Sequence, residues 1–126
     1  MYKIAFDDAT KILTATIVGF WTAAEARQYL SEFERELKLA RRICGGATRI
    51  LIDCTQSTIQ SQEVIEVLQS AQLLIQSLPG DRCAVVVSSS LAKIQTARTT
   101  ENPSVRSFLA MAEATEWLAE SRADPL

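Results

Sequence analysis

Arg49-Ile-Leu-Ile-Asp-Cys-Thr-Gln56, followed by Ser57 to Gln62 and an amphipathic run to Leu78, decides the fold. Ile50-Leu51-Ile52 is a continuous apolar run bounded by charge. Such a run fits a central parallel strand covered on both faces. Asp53 ends the run, a polar loop follows, and Ser61 is placed to cap the next helix. Val64, Leu68, Ala71, Ile75 and Leu78 then recur at helical spacing, with Val67 and Leu74 widening the stripe, until Pro79-Gly80 stops it. In an open α/β sheet, the carboxyl end of such a strand is where ligands and partners meet the fold.

Upstream, residues 2–6 and 12–18 read as two strands joined as a hairpin across Asp7-Asp8-Ala9-Thr10. Gly19 closes the second strand and Phe20-Trp21 leads into a helix. Thr22 with Glu25 three residues on is a capping box. Ala26, Tyr29, Leu30, Phe33, Leu37 and Ala40 form the inward stripe. Arg41 and Arg42 complement the helix dipole, and Gly45-Gly46 ends the helix.

Downstream, Cys83-Ala-Val-Val-Val87 is a second buried strand. Ser88-Ser89-Ser90 opens a third helical stretch over 91–98, which Asn102-Pro103 breaks. A shorter strand over 105–109 and a helix over 112–120, with Ala114, Trp117 and Leu118 inward, complete the pattern. The order ββαβαβαβα predicts an α/β fold. Its sheet is mixed and mostly parallel, of about five strands with one antiparallel edge strand and four helices. At 126 residues the chain reads as one domain over 1–120 with a frayed tail over 121–126.

The formal charge is −2 and the basic residues are spread along the chain, which argues against a nucleic-acid surface. There is no histidine, so the commonest general base and metal ligand is missing. Cys44, Cys54 and Cys83 form no CxxC pair and no zinc pattern, and read as reduced thiols of a reducing compartment. No apolar run approaches the roughly 20 residues of a membrane span. The opening Met1-Tyr-Lys-Ile-Ala-Phe-Asp7 is too short and polar for a signal peptide. A cytoplasmic protein with no cofactor and no metal is expected.

Several pieces, taken in order, resemble the SpoIIAA-like branch of the STAS superfamily, the STAS/SEC14-like small bacterial proteins. They are Gly19-Phe20-Trp21-Thr22 before the first helix, Ile50-Leu-Ile-Asp53, Ala84-Val-Val-Val-Ser88, and Val105-Arg-Ser-Phe108 with Glu113-Ala114 and Trp117-Leu118. The resemblance spans nearly the whole chain and implies the SpoIIAA-like fold. Anti-sigma-factor antagonists of this superfamily are phospho-switches. Their central strand ends in Asp, a loop follows, and a kinase phosphorylates a serine where the next helix opens with Asp-Ser-Ser-Gly or similar. Asp53 matches the strand aspartate. The helix here opens Ser61-Gln62-Glu63-Val64, so the family's aspartate falls near Ser61 and its phospho-acceptor near Gln62 or Glu63. The serine is missing at its usual place.

Each candidate site residue has a plainer structural reading beside the functional one. Asp53 either meets a ligand or partner, or caps the turn after its strand. Thr55, Ser57, Thr58 and Ser61 either line a surface at a helix N-terminus, which attracts anions, or serve as caps and solvated hydroxyls. Ser88, Ser89 and Ser90 form a second hydroxyl-rich turn, and if the two parallel strands are neighbours both turns meet at one sheet edge. Lys93 and Arg98 would supply charge for an anion there. Phe20-Trp21 is either an exposed aromatic anchor or a staple for the first helix. The expected function is a non-enzymatic STAS-like interaction or regulatory module with a protein partner, working as a homodimer. The alternative is a carrier of an anionic or lipid-like small ligand, of the SEC14-like type.

Overall fold

The computed structural model describes residues 1–57, 60–75, 81–89 and 105–120. The third helical stretch expected over 91–98 lies outside the described residues. The described elements run β1 (Tyr2–Asp7), β2 (Ile12–Gly19), α1 (Ala23–Cys44), β3 (Arg49–Ser57), α2 (Gln62–Ile75), β4 (Arg82–Val86), β5 (Val105–Phe108) and α3 (Met111–Ala119). They form a five-stranded sheet in the order β1-β2-β3-β4-β5. β1 pairs antiparallel with β2, and every later pairing is parallel. The mixed sheet and its antiparallel edge strand are as the element order predicts.

Local chemistry sets the first elements. Asp7 accepts from the backbone N–H of Ala9 at 2.8 Å and of Thr10 at 3.4 Å, and its carbonyl accepts from Lys11 N–H at 2.7 Å. Lys11 turns the corner with φ 60°. In β2, Leu13, Ala15 and Ile17 are buried and alternate with half-buried neighbours, the period-2 pattern of a strand with two unlike faces. Thr22 Oγ1 accepts from Glu25 N–H at 3.1 Å, which is half of a capping box. The Glu25 carboxylate goes instead to the Met1 ammonium at 2.7 Å. At the other end Gly45 is left-handed at φ 73°, with Gly46 N–H donating to Arg41 O and Gly45 N–H to Arg42 O. This is the Schellman arrangement that glycine permits.

The sheet has two unlike faces. On one, α1 and α2 lie side by side over Leu13, Ala15, Ile17, Ile50, Cys83 and Val85. There Trp21, Tyr29 and Phe33 form an aromatic chain with ring centroids 5.2 and 5.7 Å apart. On the other face, α3 buries Ala114 and Leu118 against Leu51, Ala84, Val86 and Phe108. Among the described side chains of α2, Val64 is buried, while Val67 and Leu68 are partly buried against the same cluster; the side chains of Ala71, Leu74, Ile75 and Leu78 of the expected stripe lie outside those described.

β3 is longer than its apolar run. It continues four residues past Asp53 to Ser57, because β2 offers a partner that far: Val18 lies opposite Gln56 and Gly19 opposite Ser57. Between Thr16 and Val18 the register shifts, leaving one extra residue in β3. An extra residue of that kind leaves a backbone group outside the ladder. A second tertiary feature lies at the opposite end. Asp81 is buried, accepts from Thr48 N–H at 2.7 Å, and pairs with the Arg41 guanidinium at 2.6 Å. Three elements, α1, β3 and β4, are joined there through one carboxylate.

Candidate functional site

β3 and β4 are neighbours and parallel, so their carboxyl ends and the segments that follow share one edge. Asp53 is level with Val86, the last residue of β4. It is half-buried on the α3 side of the sheet, and its Oδ1 accepts from both Thr55 N–H at 3.0 Å and Thr55 Oγ1 at 2.6 Å. These bonds hold the extra residue of β3. The plain cap reading of Asp53 thus describes its observed bonds, at a bulge inside the strand instead of at its end. Beyond the bulge β3 continues about 13 Å past Asp53, four residues at ~3.3 Å each. Thr55 is exposed and Ser57 half-buried. Ser61 Oγ accepts from Val64 N–H at 3.3 Å, the N-cap its position predicts. Ser88 and Ser89 are exposed just past β4. Thr58, Ser90, Lys93 and Arg98 lie outside the described residues.

The residue that organises this edge is Gln60, which the sequence reading passed over. Its Nε2 donates to Gly19 O at 2.7 Å and to Ser57 Oγ at 3.2 Å, while its Oε1 accepts from Trp21 N–H at 2.9 Å. One side-chain amide therefore ties the β3–α2 loop to the β2–α1 turn, across 39 positions of sequence. No local signal marks a glutamine for such a role, since its partners come from another loop. The aromatic pair it braces divides its roles. Trp21 is buried, with Nε1 donating to Val18 O at 3.1 Å and to Met1 O at 3.3 Å. Phe20 is 65% exposed. The staple and the exposed anchor are thus both present, one on each residue.

Acidic side chains stand at this edge, and two of them are paired. Each described helix places an acid in its first turn: Glu25, Glu63 and Glu113. Those carboxylates offset the positive helix N-termini. Glu25 pairs with the Met1 ammonium, and Glu63 with Arg27 at 3.6 Å. Burial, and next to it the Asp53 charge, pushes the Cys54 thiol up to about 12. Burial raises Cys83 as well. Both therefore stay protonated thiols near neutrality. Among the described residues no group of histidine, cysteine, aspartate and glutamate is arranged to hold a metal. A shallow depression of about 350 Å³, lined by Thr10, Lys11, Ile43, Cys44, Ala47 and Arg49, lies at the opposite end of the sheet. Among the described residues no helix is long and apolar enough to cross a membrane.

No protein-family model and no curated protein matches the chain. Solved structures do share its fold. One is the anti-sigma factor antagonist SpoIIAA in its unphosphorylated form, at TM-score 0.62 and 8% identity, covering 92% of this chain and 94% of that one. Another is an uncharacterized protein of the DUF3478 family with a SpoIIAA-like fold from Shewanella loihica PV-4. It matches at TM-score 0.59 and 19% identity, over 93% of each chain. The fold is SpoIIAA-like, as the resemblance in the sequence implies.

Proposed function

We propose that the chain is a non-enzymatic interaction or regulatory module of the STAS type. It acts in the cytoplasm as a homodimer. Its carboxyl edge, Asp53 to Ser61 with Ser88 to Ser90 and Lys93, is the surface a protein partner meets. The observation that carries this reading is the bracing of Phe20. An exposed aromatic stands between Gly19 and Trp21, and both of those backbones are held by Gln60. A side chain presented on a fixed backbone loses less freedom when a partner covers it. Aromatic residues are also the commonest anchors of interfaces. A binding output suits the fold neighbour that is an anti-sigma factor antagonist. Regulation at the usual phospho-acceptor is not part of the reading, because Gln62 and Glu63 stand there.

The reading is tested by capture. Immobilised protein is exposed to cytoplasmic extract, the bound chain is identified by mass spectrometry, and that chain is purified and titrated against wild type, Phe20→Ala and Ser57→Ala. Phe20→Ala should weaken binding at least about tenfold. A partner bound equally well by both variants, or no partner at all, sinks the reading. The anionic or lipid-like ligand has less support, because Glu25, Glu63 and Glu113 stand at the helix N-termini where an anion would dock.

A further inference from the structure

β1 is an edge strand, and among the described residues nothing pairs with its outer side. The direction of its backbone groups follows from the first pair of the ladder. Met1 and Val18 exchange both bonds, the Met1 ammonium donating to Val18 O at 3.0 Å and Val18 N–H to Met1 O at 2.8 Å. Successive pairs of an antiparallel ladder alternate between bonded and non-bonded. Lys3, Ala5 and Asp7 therefore turn N–H and C=O toward β2, while Tyr2, Ile4 and Phe6 turn theirs to the open edge. The side chains of these last three are half-buried on the α1 face. α1 runs along the same edge. Glu25 reaches the Met1 ammonium, Glu32 accepts from the Tyr2 hydroxyl, and Ile43 lines the depression beside Thr10 and Lys11. Glu36 belongs to that stripe, one helical turn beyond Glu32. It is half-buried and forms no ion pair among the described residues. Arg35 is exposed on the solvent side of the stripe. Three carboxylates against the Met1 ammonium and Arg35 leave the rim above β1 acidic.

We propose that β1 takes up an extended, basic segment of a partner protein, added antiparallel as a further strand of the sheet. Tyr2, Ile4 and Phe6 each offer it one N–H and one C=O, the row of unpaired groups that makes an edge strand a template. Antiparallel ladders are the more stable per residue. The residues opposite Tyr2, Ile4 and Phe6 project to the α1 side. Lysine or arginine there lays its stem over Ile4 and Phe6 and carries its charge to Glu32 and Glu36. The intervening residues face Lys3, Ala5 and Asp7, whose opposite charges favour neither sign. A second copy of the chain does not suit this edge. Pairing β1 with β1 would set two α1 helices side by side about 10 Å apart, across two strand spacings, with Glu32 and Glu36 of each facing those of the other. Like charges so placed suppress the wrong partner. A bare strand brings no helix of its own and meets those carboxylates with the opposite sign. The inference rests on the reading of the chain as an interaction module, but it uses a different surface from the carboxyl edge.

Amide shifts and hydrogen exchange, followed by NMR on the full chain, test it. In the free protein the Ile4 and Phe6 amides should exchange at least about tenfold faster than those of Lys3 and Ala5, which bond to β2. The probe is a blocked peptide of about seven residues that alternates threonine with lysine, titrated to about 5 mM. It should shift the amides of Tyr2 to Asp7 and slow the exchange of Ile4 and Phe6. N-methylation at its lysines removes the donors that face β1 and should weaken binding at least about tenfold, whereas N-methylation at its threonines should leave it. Glu32→Gln with Glu36→Gln keeps an acceptor for Tyr2 and should weaken binding about fivefold at low salt. Ile4 and Phe6 amides already protected in the free protein overturn the inference, because a second copy or another part of the chain then covers the edge. So does a peptide that leaves the β1 amides unmoved, or binding indifferent to N-methylation of the lysines. A threonine–glutamate peptide bound as well as the lysine one overturns it too. Any of these failures leaves the Phe20→Ala test at the carboxyl edge standing, so the two readings fail separately.

Discussion

Asp81→Asn should destabilise the fold severely although it changes one atom of shape. The Asp81 side chain has no exposed surface, and the Arg41 side chain facing it is 17% exposed. The carboxylate takes Thr48 N–H at 2.7 Å on one oxygen and the Arg41 guanidinium at 2.6 Å on the other. Asparagine can still accept from Thr48, but its NH2 group then faces the guanidinium. The lost counter-charge leaves a largely buried cation without it. Breaking a buried pair from one side costs about 3–5 kcal/mol. Partial exposure of Arg41 points to the low end, about 3 kcal/mol. For 126 residues at ~2.1 cal/mol/K each, the unfolding entropy is about 0.26 kcal/mol/K, so Tm should fall by about 11 °C. Urea unfolding followed by circular dichroism and tryptophan fluorescence measures the loss. Asp81→Asn with Arg41→Met removes both partners and should recover most of it, because no charge is left buried. A single-variant loss under about 1 kcal/mol, or a double variant no better than the single, would refute the reasoning.

Gln60→Ala should cost about 1–3 kcal/mol, because three hydrogen bonds are lost and Trp21 N–H is left without this acceptor; unchanged unfolding together with unchanged Trp21 emission would count against the brace. Phe20→Ala should leave stability within about 0.5 kcal/mol, since the side chain is mostly exposed, so a large drop in urea midpoint would show that Phe20 is packed. At pH 8 the Cys54 thiol is about four units below its pKa of about 12, so its thiolate fraction is near 10⁻⁴; Ellman's reagent should label Cys54 and Cys83 only on unfolding. The folded pKa of Cys54 lies above its ordinary 9.0, so its contribution to stability is complete below about pH 9 and is lost as pH rises toward about 12. Unfolding free energy should therefore fall through that window by about 1.4 kcal/mol per pH unit from Cys54, with Cys83 and Tyr29 shifted the same way and adding to the slope. A Cys54→Ala variant with the wild-type slope would contradict this.

Much of the fold is written in short-range signals, because helix and strand are local periods. Thr22 and Gly45-Gly46 bound α1 where their chemistry says they should. The stripe Ala26, Tyr29, Phe33, Leu37 and Ala40 is buried as spaced. The apolar run at Ile50 marks a central strand, and the alternation of strands and helices implies a mostly parallel sheet, while the order of its strands is read only from the assembled sheet. The candidate edge was legible to the same extent. Ser61 caps its helix, and the parallel β3 and β4 point the loops after them to one side.

What only the tertiary structure decided is every feature whose partner lies far along the chain. β3 runs to Ser57 because β2 is there to pair with it, and Asp53 becomes a bulge clamp because that pairing slips by one residue. Gln60 finds its partners 39 and 41 positions away. Arg41, read as a helix-dipole residue, finds Asp81 40 positions away. Phe20 and Trp21 are alike as a pair of letters, yet one is exposed and the other buried, because Tyr2 and Tyr29 close around Trp21 alone. Periodicity assigns faces within one element. Hydrogen bonds and ion pairs between elements exist only once the crossovers have set strand register, and register is a property of the assembled sheet.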